Sequence, residues 1–216
     1  MSVTRILHAA GNYRATLSLA GHPDVDAIEA DAWMRAGKLF VNHARPLGPL
    51  PYVLGSHGIR RQERDEVDVA RLLGAVDQRA QLVLDLRSWV GDPAPDLARV
   101  LSDVPDRAHL IVTCEAWSIA DRLRAWLPDL RVAYSIRSER DLRRYVQGRV
   151  AGALQETAVT VKHTLLHSSE EVAALQAWAG SVGVWTVDDI DRARELVRWG
   201  VQSVTSNRLE VLAALG

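Results

Sequence analysis

Short apolar runs rich in Val, Ile and Leu recur along the chain, over residues 3–8, 26–31, 81–87, 109–114, 131–135, 158–163, 182–187 and 202–206. Runs of this length and make-up predict strands. Most of the stretches between them carry apolar residues at helical spacing, such as Val67, Ala70, Leu73, Gly74 and Ala75, or Val172, Leu175, Gln176 and Trp178. Start signals agree: Ser138 with Asp141, and Ser168 with Glu171, each offer a side-chain oxygen to the free amides of a first helical turn and an acid to its positive end. Gly148, Gly180 and Gly200 are predicted to stand at or just past helix ends, where a left-handed cap is needed.

Strand and helix thus alternate eight times, which predicts an α/β fold of the (β/α)8 barrel type, a compact example of an architecture that usually takes about 250 residues. The competing arrangement is an open doubly wound sheet, with its ligand at a strand-order switch point. One segment interrupts the alternation. In residues 31–43, DAWMRAGKLFVNH, Arg35 to Lys38 read as a turn and Leu39 to Asn42 as a returning strand. A tight hairpin brings the chain back to its starting level, so His43 is expected near Glu29 and Asp31. Residues 44–64, with three prolines and three glycines, are expected to be the longest unstructured connection and to cover one barrel mouth.

Composition narrows the class. A chain of 216 residues fits a single domain over 1–216, and 48% hydrophobic with 25% charged residues excludes disordered and fibrous proteins. With 26 basic against 27 acidic residues there is no surplus of positive charge for general nucleic-acid binding. Cys114, the single cysteine, excludes an internal disulfide and a cysteine zinc site and suits a reducing compartment. The first residues lack the apolar stretch of a signal peptide and no run approaches ~20 apolar residues, so a soluble, cytoplasmic protein is expected. Glycine-rich phosphate loops, dinucleotide turns and the serine-nucleophile elbow have no counterpart in the sequence.

Polar residues at the carboxyl ends of the strands are the informative ones, because a barrel carries its site on that face. Glu29 and Asp31 are two apart on the second strand, so both side chains point the same way; Asp85 and Arg87 repeat the arrangement on the third. If that shared side is the lumen, three carboxylates converge and repel, and hard oxygen ligands of this kind suit Mg²⁺ or Ca²⁺. Otherwise they pair with arginines or face solvent. His8 closes the first strand and His43 the hairpin return, where two imidazoles could serve as general acid and base; the alternative is an ordinary capping or surface role. Arg87 and Lys162 could hold a phosphate or stand solvated. Trp185, ending the seventh strand with Thr186, is either an aromatic wall or core packing, and Glu115 could line the mouth. His163 and His167, four apart, lie in a loop-like stretch that makes a poor metal pair.

At these positions the chain resembles the glycerophosphodiester phosphodiesterase family. The carrying segments are ILHAAG from Ile6, DAIEAD from Asp26, GKLFVNH from Gly37, LVLDLR from Leu82, GVWTVDD from Gly183 and GVQSVTSNRLEVL from Gly200, in the family's order. The family pattern is H-R-G, E-x-D, V-V-x-H-D, E-x-K, V-x-W-T-V and G-V-x-x-I-x-T-[DN]-x-P. The resemblance implies a (β/α)8 barrel and metal-assisted hydrolysis of small or lipid-derived phosphodiesters to an alcohol and a phosphomonoester. It makes His8 and His43 the acid/base pair, Glu29, Asp31 and Asp85 the ligands of a divalent cation, and Arg87 a phosphate contact. The chain departs from the pattern at Ala9 and Ala44, in place of the motif arginine and aspartate, and at Asp85 and Arg87, which shift E-x-K to D-x-R. Two further readings stay open: an impaired barrel that binds a phosphorylated ligand or partner, and cyclising cleavage by a substrate hydroxyl.

Overall fold

The computed structural model describes residues 2–35, 37–47, 50–55, 58–61, 67–76, 80–88 and 91–216. Strands β1 (Thr4–Leu7) and β2 (Ala27–Arg35) come first, then β3 (Lys38–Val41), β4 (Arg45–Pro46), β5 (Tyr52–Gly55), β6 (Gly58–Arg61) and helix α1 (Val69–Val76). Strict alternation follows: β7 (Gln81–Arg87), α2 (Ala94–Ser102), β8 (Leu110–Cys114), α3 (Trp117–Trp126), β9 (Arg131–Ile136) and α4 (Glu139–Val150). It ends with β10 (Ala158–Lys162), α5 (Ser169–Ala179), β11 (Val182–Trp185), α6 (Ile190–Arg198), β12 (Ser203–Ser206) and α7 (Leu209–Ala213).

Eight of these strands run parallel in the order β1, β12, β11, β10, β9, β8, β7, β2, and a direct pairing of β1 with β2 closes the ring. That closure makes a (β/α)8 barrel and removes the open-sheet alternative. The ladders differ in length. β2 and β7 match over seven residue pairs, from Ala27 with Gln81 to Trp33 with Arg87. β1 and β12 match over four, whereas β1 with β2, and β11 with β12, match over two each.

The main core lies between the strands and the helices. Ile28, Leu82, Leu84, Leu110, Val161 and Val204 face outward against Leu72, Leu97, Leu123, Val172, Leu196 and Leu212, the two-layer packing that buries one face of each element. Among the described residues, Ile6, Ala27 and Val83, with Ile111 against them, form a small apolar cluster inside the barrel. Thr160, Gly183, Ser203 and Thr205 are among the other lining residues, and these small side chains help to leave a cavity of about 700 Å³ that reaches the mouth.

Local signals were met in most places. Ser138 Oγ accepts from the Asp141 amide, Ser168 Oγ accepts from the Glu171 amide, and Gly180 ends α5 with φ of 69°. Gly148 instead sits within the last turn of α4, two residues before its end at Val150. A Cβ there would come within 2.7 Å of Leu154, so this glycine serves the fold-back of the chain after the helix. The buried side of α1 is Val69, Leu72 and Val76, whereas Ala70 is exposed and the Ala75 side chain lies outside the described ones. The first crossover uses 3-10 turns, Ala10–Asn12 and Arg14–Gly21, in place of an α-helix.

The hairpin after β2 is present, with Arg35 paired to Lys38 and Ala32 to Val41; Ala36 at its turn lies outside the described residues. Residues 44–64 are not an unstructured connection. β4, β5 and β6 form a three-stranded antiparallel sheet at the mouth, held by the buried Val53; Gly48, Pro49 and residues 56–57 and 62–64 of that span lie outside the described residues. No helix among the described residues is long and apolar enough to cross a membrane.

Candidate active site

The period of two along β2 and β7 points Glu29, Asp31 and Asp85 into the carboxyl end of the lumen, and the ladder sets Asp31 directly beside Asp85. One oxygen from each carboxylate lies within 4.8 Å of the others, the only such grouping of acids, histidines or cysteine among the described residues. Each acid is held. The Ala9 amide donates to Glu29 Oε2 at 2.7 Å, and Ala9 reaches it by adopting a left-handed backbone, φ 54°, a conformation that costs a non-glycine residue about 1–2 kcal/mol. Asn12 clamps Asp31 twice: its Nδ2 donates to Asp31 Oδ2, and its Oδ1 accepts from the Asp31 amide, both at 2.9 Å. Thr113 Oγ1 donates to Asp85 Oδ1 at 2.9 Å.

Arg87 enters this group from β7. Its Nη2 is 2.7 Å from Asp31 Oδ1 and 2.7 Å from Asp85 Oδ2, and Nη1 is 3.2 Å from Glu115 Oε1. Glu115 in turn accepts from Arg137 at 2.9 Å. One guanidinium does not balance three acids. Burial, with Asp31 and Asp85 adding to it, holds the Glu29 carboxyl well above its usual range, and burial pushes Asp85 up to about 6 despite Arg87. A cluster of oxygens short of positive charge fits a hard divalent cation.

The imidazoles stand beside the acids. His8 Nδ1 donates to Asn207 Oδ1 at 2.7 Å, because Asn207 spends its own amide hydrogens on Asp188, through Nδ2 at 2.7 Å and the backbone N at 2.8 Å. Nε2 of His8 is thereby left facing the lumen, 3.7 Å from Glu29 Oε2. His43 is brought in by the hairpin. The Asn42 amide donates to the Asp31 carbonyl at 3.1 Å and Trp33 Nε1 to the Asn42 carbonyl at 2.7 Å, which fixes the next residue beside Asp31. The two imidazole rings meet edge to face, centroids 5.3 Å apart. Burial lowers the pKa of His43, with Asp31 opposing and His8 and Arg87 adding to the fall.

No family model matches the chain, and no curated protein matches it. Solved structures do. A glycerophosphodiester phosphodiesterase from Thermotoga maritima superposes with a TM-score of 0.73 at 16% identity, covering 100% of this chain and 99% of the other. One from Agrobacterium tumefaciens gives 0.71 at 17%, covering 99% and 98%. A phosphodiesterase from Oleispira antarctica, in complex with the product sn-glycerol-3-phosphate, gives 0.75 at 14%, covering 98% and 96%. The fold is that of the glycerophosphodiester phosphodiesterases.

On this barrel the expected residues fall at one mouth, Lys162 at its rim. Trp185 lines the lumen cavity together with His8, Glu29, Asp85 and Arg87, its indole nitrogen buried without a hydrogen-bond partner. Lys162, two residues beyond the lumen-lining Thr160, is exposed on the rim outside the cavity lining. A second cleft of about 260 Å³ opens between the barrel and the small sheet, lined by Asp31, Trp33, His43, Arg45, Leu54 and Arg137 among others. Asn12, Thr113, Asp188, Asn207 and Arg137 received no role from sequence reasoning. For Asp188 and Asn207 a signal existed, since both fall within the segments that carry the family resemblance.

Proposed function

We propose that the chain is a metal-dependent phosphodiester hydrolase of the glycerophosphodiester phosphodiesterase type, built as one domain over residues 1–216. The observation that carries this reading is the meeting of His8 and His43 at 5.3 Å beside Glu29, Asp31 and Asp85. Those three acids would hold Mg²⁺ or Ca²⁺, which when bound supplies Lewis-acid polarisation of a phosphoryl oxygen. His43, kept neutral by burial, takes a proton from the attacking water as its oxygen bonds to phosphorus. His8, aligned by Asn207 and bearing a proton on Nε2 as well as on Nδ1, gives the Nε2 proton to the leaving oxygen as the P–O bond breaks, giving an alcohol and a phosphomonoester; the proton taken by His43 then leaves to solvent and His8 regains one from it. Arg87 offers the phosphate a charged donor, Trp185 walls the cavity, and Lys162 adds positive charge at the rim. The sn-glycerol-3-phosphate held by the Oleispira relative supports a glycerol-based phosphodiester as substrate. The buried free thiol of Cys114 is in keeping with a reducing, cytoplasmic setting.

A second reading has its own support. The Arg87 guanidinium sits between Asp31 and Asp85, where it supplies positive charge to two of the cation's ligands, so a barrel that binds phosphorylated ligands without turnover is the alternative. Incubation with a panel of glycerophosphodiesters in Mg²⁺, in Ca²⁺ and in chelator separates the two. Phosphomonoester release that needs the cation supports hydrolysis; binding with no release in any condition supports the alternative.

A further inference from the structure

The lumen carries a line of hydroxyls that the acid and imidazole cluster does not use. The parallel registers pair Ser135 with Thr160, Thr160 with Gly183, Gly183 with Ser203 and Ser203 with Thr4, so five adjacent strands each contribute one residue to it. All five line the cavity. The line is oblique. It starts at Ser135, next to last in β9, and ends at Thr4, the first residue of β1, because tilted and staggered strands turn a row across a barrel into a ramp along it. Among the described residues, none of its four hydroxyls has a hydrogen-bond partner in the protein. Gly183 keeps the ramp open, since a Cβ there would fall on Ser203 Oγ.

The opposite wall is apolar. Four strands round a ring of eight lies directly across it, so Val83 on β7 faces Gly183 on β11, and Ile111 on β8 faces Ser203 on β12. Barrels of this kind fill their interior with layers of branched apolar side chains; here one wall is hydroxyls and a glycine, and the space before it is open. Whatever fills that space has to satisfy the hydroxyls, each of which donates one hydrogen bond and accepts two. A hydrocarbon would leave them unmet, which is costly for buried polar groups. An ion finds no opposite charge along the ramp, which carries none. Water satisfies the hydroxyls but gains nothing from Val83 and Ile111. A molecule with hydroxyls along one edge and C–H groups along the other matches both walls.

We propose that the ramp from Thr160 to Thr4 binds a free, neutral polyol of the sugar-alcohol class, at a second site inside the barrel that needs neither the cation nor a phosphate. It stands apart from the hydrolase reading and from any portion of that substrate. Sorbitol and 1,6-hexanediol, six-carbon chains that differ in their inner hydroxyls, are the probes. Amide chemical-shift titration in chelator reads both affinity and place. Sorbitol is expected to saturate, with shifts centred on Thr160, Gly183 and Ser203, and to bind at least tenfold more tightly than the diol, the discrimination that a site built of hydrogen-bonding groups makes against an analogue lacking their partners. Thr160→Val with Ser203→Ala, which removes two hydroxyls at little change of shape, is expected to lose at least tenfold for sorbitol, and Thr160→Ser to retain binding; the comparison of sorbitol with the diol needs no variant at all. Saturating glycerol 3-phosphate with Mg²⁺, which addresses the mouth, is expected to leave sorbitol binding unchanged. Shifts that grow linearly without saturating, the behaviour of a lumen holding water alone, overturn the proposal, as does equal affinity for the diol or an unchanged affinity in the double variant. Displacement of sorbitol by glycerol 3-phosphate, or shifts centred on Glu29 and His43, would make the polyol an occupant of the mouth and overturns it too.

Discussion

On β7, Nη2 of Arg87 lies 2.7 Å from Oδ2 of Asp85, the residue two positions before it on the same face. The nitrogen also touches Asp31, so a guanidinium occupies two of the three carboxylates that would ligate a cation. Cation and Arg87 then compete for the same oxygens. Replacing Arg87 with Gln is expected to raise Mg²⁺ affinity about tenfold or more, the equivalent of losing charge-assisted hydrogen bonds of ~1.5–3 kcal/mol. Calorimetric titration checks this; unchanged or weaker affinity would show that Arg87 and the metal coexist.

The raised carboxyl of Asp85 makes stability fall with pH when no cation is present. Its folded pKa is about 6 against 3.8 for the free side chain, so the folded state holds the proton more tightly and the contribution is full below pH 4 and lost as pH rises through 6. His43, whose pKa is lowered, has the opposite sign in an overlapping range. Comparison with Asp85→Asn isolates the acid. In chelator, the wild-type melting temperature minus that of the variant should decline between pH 4 and pH 7, and saturating Mg²⁺ should restore it at pH 7. A flat difference would mean that Asp85 is not held above its normal range.

Ala9 bears a left-handed backbone to place its amide on Glu29. Glycine adopts that conformation freely, so Ala9→Gly should stabilise the protein by about 0.5–1 kcal/mol after the entropy of the unfolded chain is set against the relieved strain. The urea midpoint measures it, and a lower midpoint would count against the strain.

Asn207 Oδ1 accepts from His8 Nδ1 and so fixes the ring. Asn207→Leu should reduce kcat at least tenfold with little change in KM and broaden the pH profile, because the ring loses its fixed tautomer. If KM rises instead and kcat holds, Asn207 binds substrate directly.

Loss of either imidazole should cost more. His8→Ala and His43→Ala are each expected to lower kcat by ~10²- to 10⁴-fold while the protein stays folded. Turnover unaffected in both variants would remove the pair from the chemistry.

The barrel was legible because each of its strands is short and apolar enough to announce itself, and the hairpin because Gly37 and its neighbours mark a turn in an otherwise continuous strand. Spacing alone put Glu29 and Asp31 on one side of their strand and Asp85 and Arg87 on one side of the next, and left open whether that side was the lumen. The small sheet was not legible: β4 spans two residues, its neighbours are rich in proline and glycine, and Val53 is its one buried β5 residue, too little pattern to declare a strand. The clamps on the site escaped for a different reason. Asn12, Thr113 and Asn207 are ordinary polar residues whose roles depend on partners 19, 28 and 199 positions away, and sequence periodicity carries no such distances. Gly148 misled because a glycine near a helix end looks like a cap even when it makes room for a returning leucine.

The unequal ladders divide the candidate site between two anchorages. His8 and Asn207 follow β1 and β12, which hold each other by four pairs but grip their outer neighbours by two apiece. The three acids all ride on the seven-pair ladder of β2 and β7. His8 is thus mounted on a separate frame from the carboxylates and from His43, which the β2–β3 hairpin carries, the two frames joined like a clasp along the β1–β2 seam. Warming that loosens the seam would unfasten one from the other while the helices and the longer ladders stay intact, so catalysis should fade several degrees before the far-ultraviolet circular dichroism does.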